Sequence, residues 1–395
     1  VKRLILIAIA GLLTGCQSDR VAAPADAASS HPGDAMLARN PRLPSSPGVS
    51  VMTYNLYLGT DLGPLMQATT QQDFLIAAAR AYAELQQTDF PARAGKIADQ
   101  IEAAQPDLLG LQEVALWSVS APYDPTQPPI APFVVQYDFL QLVLDSLQAK
   151  GLSYTPASVA WTSDVAAPVP TAFDGSGNPT AFALVRFQDR DAILVRAGVQ
   201  FREAKSGKYK AYIPLNLLGT STGLYRGWCS VKATVNGKTF TFVNSHLEAE
   251  NADINYLQAL ELLRLLPNGN EPVIWVGDFN SDANAGAPSY AAALGAGFHD
   301  LWPIAHPSDP GLTNGPNDGV GYLDAGFVFH PWPGLVFDKR IDLVLLKDWF
   351  GQPQQVSASI LGNQSGDRTE AGLWPSDHAA VAMVFDFPTN MAGGR

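Results

Sequence analysis

The residues of this chain that could do chemistry sit where apolar runs end. Asn55 closes M-T-Y-N, Glu113 closes L-L-G-L-Q-E, and His246 ends F-V-N-S-H. Asp278 and Asn280 close V-I-W-V-G-D-F-N, Asp342 lies in R-I-D-L-V-L-L, and Asp377 and His378 open S-D-H-A-A-V-A-M-V-F. Carboxylate and amide oxygens are what a hard cation or an attacking water needs, and histidine moves protons near neutral pH. Singly, an Asn or Asp at a strand end is a turn former. Their recurrence in the order N, E, H, D-x-N, D, D-H marks them as a set.

Strands must position that set. Ser50–Tyr54, Leu108–Gln112, Ala192–Arg196, Cys229–Val235, Thr239–Asn244, Pro272–Val276, Arg340–Leu346 and Ala379–Phe385 are predicted strands. Apolar residues at helical spacing predict helices over 73–87, 91–104, 137–149 and 253–265, with Pro106 stopping the second. Asn236-Gly237 reads as a tight hairpin turn. Side chains two apart on a strand share a face, so Asp278 and Asn280 are expected to point together. Three stretches read as long loops: 115–135 and 161–181, rich in Pro, Ala and Thr, and 303–337, rich in Gly, Pro and aromatics. Strands mixed with helices suggest an α/β fold of two layered sheets with helices outside.

With these motifs in hand, the chain from about Val49 to Phe387 resembles the endonuclease/exonuclease/phosphatase superfamily. G-D-F-N at 277–280 and S-D-H at 376–378 carry most of the resemblance, supported by L-Q-E, N-S-H-L and R-I-D. It implies a four-layered α/β sandwich, two packed mixed sheets flanked by helices, and Mg²⁺- or Mn²⁺-dependent phosphoester hydrolysis. Glu113 is then the metal ligand, with Asn55 and Asp377 beside the metal. Asp278 and Asn280 orient water and phosphoryl oxygen. His378 is the general base aligned by Asp342, and His246 is the second catalytic histidine. The upstream carboxylate paired with His246 is assigned to Asp191, with Asp189 second. The N-S-H-L form resembles the deoxyribonuclease I and sphingomyelinase-like branches rather than abasic-site endonucleases.

Composition bears on the substrate. Lys and Arg number 25 against 37 Asp and Glu, a formal net charge of −12. An acidic protein has no broad field for an acidic polymer, which leans toward a phospholipid head group or small phosphoester over nucleic acid. Tyr322, Phe327, Phe329, Trp332 and Phe337 stand ready to touch lipid or to pack as an extra hairpin. The rival outside enzymology is a non-catalytic surface binding protein. A monomer is expected. Cys229, in W-C-S-V, reads as a buried apolar residue.

Lys2 and Arg3 precede the apolar stretch Leu4–Leu13, too short to span a bilayer. Leu13-Thr14-Gly15-Cys16 resembles the bacterial lipoprotein signal, which implies cleavage after residue 15 and acylation of Cys16. Residues 16–47 read as the lipidated cysteine and a flexible Ala/Pro/Ser tether, and 48–390 as the catalytic domain. Gln17 favours, by the same resemblance, an outer-membrane anchor outside the cytoplasm.

Overall fold

Alternation of side chains along the strands builds this molecule. A computed structural model describes residues 48–388 apart from 125–130, 177, 218, 219, 268 and 318. The expected signal peptide, Cys16 and the tether lie outside the described residues. Along the chain come strand β1 (Val49–Asn55), helices α1 (Gly63–Met66), α2 (Gln71–Gln87) and α3 (Phe90–Ala104), then β2 (Leu108–Gln112), β3 (Leu116–Tyr123) and β4 (Val134–Asp138). Helix α4 (Phe139–Ala149) leads to β5 (Tyr154–Phe173), β6 (Pro179–Arg196), β7 (Gln200–Lys208), β8 (Ile213–Leu217) and β9 (Thr220–Leu224). Then follow β10 (Gly227–Val235), β11 (Lys238–His246), α5 (Ala252–Leu265), β12 (Val273–Asp278), α6 (Pro288–Gly295) and β13 (His299–Asp300). The remainder is α7 (Trp302–Ala305), β14 (Gly321–Leu323), β15 (Phe329–Pro331), β16 (Asp342–Lys347), β17 (Val356–Leu361) and β18 (Ala380–Phe385).

An 8-stranded sheet runs β17-β18-β1-β2-β6-β3-β4, with β5 on the outer side of β6. A 6-stranded sheet runs β13-β16-β12-β11-β10-β7. Met52 and Tyr54 of β1 pack toward α2 and α3, whereas Val49 and Val51 face the second sheet. In β12, Ile274 and Val276 join the inter-sheet core, while Val273 and Trp275 face Ala259 and Leu262 of α5. Three apolar layers thus separate four structural ones, the sandwich the sequence implied. Helices start on side-chain caps: Thr70, Asp89, Asp138 and Asn251 accept from backbone N–H groups of α2, α3, α4 and α5.

Two segments expected as loops are strands. Residues 161–181 belong to the long β5–β6 ribbon, and 115–135 hold β3 and the start of β4. Proline hid them. Pro156, Pro168 and Pro170 lie on β5, which pairs with β6 alone and so has a free edge, the place in a sheet where proline is tolerated. The 303–337 stretch holds α7 and the β14–β15 hairpin, which packs on the body. Arg80 donates to the Leu323 and Asp324 carbonyls, and Phe329 and Trp332 cluster with Tyr57 and Trp374. Tyr322 stays exposed.

Candidate active site

Strand parity carries the inter-sheet core into the site. Residues 240 and 242 of β11, 274 and 276 of β12, and 344 and 346 of β16 face the other sheet. Counting on by two reaches His246, Asp278 and, backwards, Asp342; the same count on β1 reaches Asn55 from Val51, and on β6 reaches Asp191 from Ile193. Asp278 pairs with both His246 and Asp342 in the ladder of the second sheet.

Two glycines are required for this register. At Gly277, with φ +145°, a Cβ would meet the Ser245 carbonyl oxygen at 1.9 Å. At Gly110 a Cβ would lie 2.7 Å from Asn244 Oδ1. Asn244 crosses between the sheets there: its Nδ2 donates to the Leu111 and Ala192 carbonyls, and its Oδ1 accepts from Gln112 Nε2 at 2.6 Å.

His378 and Asp342 are joined by a hydrogen bond, Nδ1 to Oδ2 at 2.9 Å, with the Asp342 side chain completely buried. Burial opposes charge on His378, but Asp342 and Asp278 outweigh it and hold the imidazole well above its ordinary range. Asp278 Oδ2 accepts from Asn55 Nδ2 at 3.0 Å and lies 3.5 Å from His246 Nε2 and 3.7 Å from His378 Nε2. Burial, more than any neighbour, pushes Asp278 up to about 6. Asn280 lies past the end of β12, and its φ of 44° is left-handed. It therefore converges with Asp278 by a turn rather than by strand alternation. Its N–H donates to Asp278 Oδ1 at 2.9 Å and its Nδ2 sits 3.1 Å from His246 Nε2.

On the other side of His246, Asp191 Oδ1 stands 3.9 Å from Nδ1, and neither Asp191 oxygen has a hydrogen-bond partner. Burial and then Asp189 push that carboxyl well above the usual range. Asp189 accepts from Thr162 Oγ1 and the Arg190 N–H, each at 3.0 Å. Closest to His246 Nδ1 is Arg226, whose guanidinium lies 3.2 Å away, with its Nε 3.7 Å from Glu248. Burial, then Arg226 and His378, push His246 well below the ordinary histidine range. Arg226 escaped the sequence reading because R-G ahead of a strand looks like a turn. The available signal was register: Gly227 opens β10 directly opposite His246.

Glu113 follows β2 with φ 55°, and its Oε2 accepts from the Leu58 N–H at 2.7 Å. Burial first, then the Asp377 and Asp189 charges, push it up to about 7. Asp377 Oδ2 accepts from the Gly319 N–H at 3.0 Å. Ser376, a further residue the sequence reading passed over, donates to the Asn55 carbonyl at 2.7 Å and receives the His378 N–H at 3.2 Å. It pins the S-D-H turn to the end of β1. Among the described residues, two groups of site side chains offer ligand atoms for a cation. One is the half-buried carboxylate pair Glu113 and Asp377. The other is Asp278, Asp342 and His378, whose ligand atoms lie within 4.8 Å of one another. In the second group the Asp342–His378 hydrogen bond uses Asp342 Oδ2 and His378 Nδ1 and leaves Asp342 Oδ1 buried without a hydrogen-bond partner, but a nitrogen donor suits Mg²⁺ poorly. By donor type alone, the all-oxygen pair is the closer match to Mg²⁺.

Sequence comparison agrees with this geometry. The model of the Endonuclease/Exonuclease/phosphatase family matches residues 52–378, and the chain belongs to that family. Its fold is that of a phosphoesterase-type hydrolase. No curated protein matches the sequence. Among solved structures, an endonuclease/exonuclease/phosphatase family protein from Leptotrichia buccalis superposes with TM-score 0.48 at 16% identity, covering 86% of this chain and 100% of that one. TDP2 from Caenorhabditis elegans gives 0.45 at 17%, covering 86% and 75%. The mannosyl-6-phosphatase Bt3783 of Bacteroides thetaiotaomicron gives 0.43 at 17%, covering 86% and 100%.

Proposed function

We propose that this protein hydrolyses phosphodiesters with Mg²⁺ or Mn²⁺, outside the cytoplasm, on a lipid anchor at Cys16. The observation that carries the chemistry is the junction of the two sheets. There His378–Asp342, Asp278 and His246 meet within hydrogen-bonding or ion-pair distance, and Glu113 stands on the neighbouring strand end. A phosphodiester anion repels an attacking water, so hydrolysis needs charge neutralisation, an oriented nucleophile and a proton for the leaving oxygen. A divalent cation held by Glu113 and Asp377, with Asn55 nearby, would supply the first of these when bound. Arg226 adds a fixed positive charge beside His246.

The charges around the histidines favour a change in the roles implied by resemblance. His378 is held as an imidazolium, a proton donor, whereas His246 is held neutral. Asp278, with its carboxyl near 6, is ionised at neutral pH and is the group ready to accept the proton of water, while the neutral His246, 3.5 Å away, has its Nδ1 lone pair turned to Arg226 and so offers an Nε2 proton as a hydrogen bond to a phosphoryl oxygen. Asn280 orients both. The non-catalytic alternative loses ground because it gives no reason to bury so many ionisable groups at one seam.

The decisive experiment offers the mature protein DNA, RNA, sphingomyelin, phosphatidylcholine, inositol phosphates and bis(p-nitrophenyl) phosphate, each with Mg²⁺, Mn²⁺ or EDTA. Cation-dependent cleavage of a phosphodiester is the expected result. Activity untouched by EDTA, or no cleavage of any of them, overturns the reading.

A further inference from the structure

Beside the carboxylate pair lies a second feature, which the chemistry above does not use. A cavity of about 60 Å³ opens between α1, α2, the β5–β6 ribbon and the β8–β9 hairpin. Leu62, Met66, Trp117, Ala166, Val169 and Leu224 are among its walls, and no lining side chain is charged. Ser163, a polar group in the wall, has its hydroxyl committed to Tyr225: it donates to the carbonyl at 3.1 Å and accepts the N–H at 2.9 Å. Water inside would find few partners, and cavities of that kind prefer an apolar occupant.

The cavity adjoins the site. Trp117 Nε1 donates to the Leu58 carbonyl at 3.0 Å, and the Leu58 N–H donates to Glu113 at 2.7 Å, so one residue separates wall from carboxylate. On the opposite wall, Leu224 and Tyr225 lead directly into Arg226, 3.2 Å from His246.

We propose that the cavity is a subsite for an alkyl chain esterified to the scissile phosphate, which makes a lipid-like phosphoester the substrate class. The inference rests on the phosphodiesterase reading above. An alkyl chain leaves nothing unpaired among Leu, Met, Val and Ala walls. A nucleobase would bury its edge donors and acceptors without partners, at a cost that hydrogen-bonding sites are built to avoid. The volume admits the proximal part of a chain, not a whole acyl tail.

The test titrates methyl, ethyl, propyl, butyl and hexyl phosphate into the mature protein by calorimetry, with bis(p-nitrophenyl) phosphate hydrolysis measured in parallel. Affinity should rise by up to about fourfold for each methylene buried and level off once the cavity is full. Ala166 is exposed, so Ala166→Trp should fold, fill the mouth and flatten the dependence. Leu62→Ala should move the plateau to a longer chain. A flat series in the wild type, or an unchanged slope in Ala166→Trp, overturns the subsite, even with the diester cleaved. A rising series flattened by Ala166→Trp upholds it, even if no diester is cleaved, and then only the catalytic reading fails.

Discussion

Asn55 and Asp278 belong to different sheets, and the 3.0 Å hydrogen bond from the Asn55 amide to Asp278 Oδ2 joins the two strand ends across the site. The other end of that amide accepts the Tyr57 N–H at 3.0 Å. Asn55 thus holds the site carboxylate and its own loop with one side chain. Around it, Ser376 fastens the S-D-H turn to the Asn55 carbonyl. Catalytic geometry here is a product of inter-sheet packing, since none of these groups shares a strand with its partner.

Asn55→Ala should therefore act on both stability and protonation. It leaves buried polar groups on Asp278 and Tyr57 without a partner, a loss of about 1–3 kcal/mol per group by denaturant titration. The amide also favours the ionised form of Asp278, so its removal raises that carboxyl further above about 6. The acid limb of the pH–rate profile should move to higher pH. A limb that stays in place while stability falls would reduce Asn55 to a structural role.

Glu113, held up to about 7, ties cation binding to pH. A ligand carboxylate must lose its proton to bind metal. Between pH 6 and 8 the ionised fraction rises about tenfold, and apparent Mg²⁺ affinity should rise by about the same factor. Stability of the metal-free protein runs the other way. Unfolded Glu113 ionises near 4.5 and folded Glu113 near 7, so from 4.5 to 7 the folded state binds more protons and Glu113's contribution falls as pH rises. Added Mg²⁺ should then raise Tm more at pH 8 than at pH 6. Glu113→Gln should abolish both effects. If Asp342→Asn abolishes them and Glu113→Gln does not, the cation belongs to the Asp278–Asp342–His378 group.

The members of this seam were legible in the sequence because polar residues at the ends of apolar runs stand out and, taken in order, match a family pattern. Strand parity in the fold accounts for their meeting: Asp278 and His246 close their strands and Asp342 opens its own on the face of the inter-sheet core. What was illegible has physical causes. The β5–β6 ribbon was masked by prolines that an edge strand tolerates. Asn280 reaches His246 through a left-handed turn, which no periodicity announces. Arg226 gains meaning only from its register against His246, a long-range pairing of β10 with β11. Asp191, assigned by resemblance as the carboxylate partner of His246, lies 3.9 Å from its Nδ1 without a hydrogen bond, and Arg226 is the nearer neighbour of that nitrogen at 3.2 Å. Proton affinities were out of reach altogether, since they depend on burial and on charges from several strands at once.

The lipid anchor is tested apart from the catalytic domain. Acylated Cys16 should keep the protein in the membrane fraction, with a mass increment on the mature N-terminal cysteine. Cys16→Ser should release or misroute it and leave the specific activity of the purified enzyme unchanged. An unmodified mature N-terminus lying beyond Cys16 would remove the anchor from the account.

The two histidines give the sharpest test, because their environments pull them apart. His378 sits against Asp342 at 2.9 Å with Asp278 close by, and those charges hold its proton. His246 sits against Arg226 at 3.2 Å, and that charge drives its proton off. General acid–base groups contribute about 10²–10⁴-fold, so His378→Ala and His246→Ala should each lose at least about 10²-fold in kcat with the fold intact. Asp342→Asn should lose less, since it removes the charge that orients and protonates His378 but keeps the imidazole. Leaving-group chemistry then separates the roles. A p-nitrophenolate departs without a proton, so a p-nitrophenyl diester should partly rescue the variant that lacks the general acid. With His378 as the donor, rescue should appear in His378→Ala and Asp342→Asn and be absent in His246→Ala. The opposite pattern would restore His378 as base and His246 as acid, and would mean that substrate or cation reverses the proton affinities described here. If neither substitution slows cleavage of a phosphoester that the wild type hydrolyses, the catalytic assignment of both histidines falls.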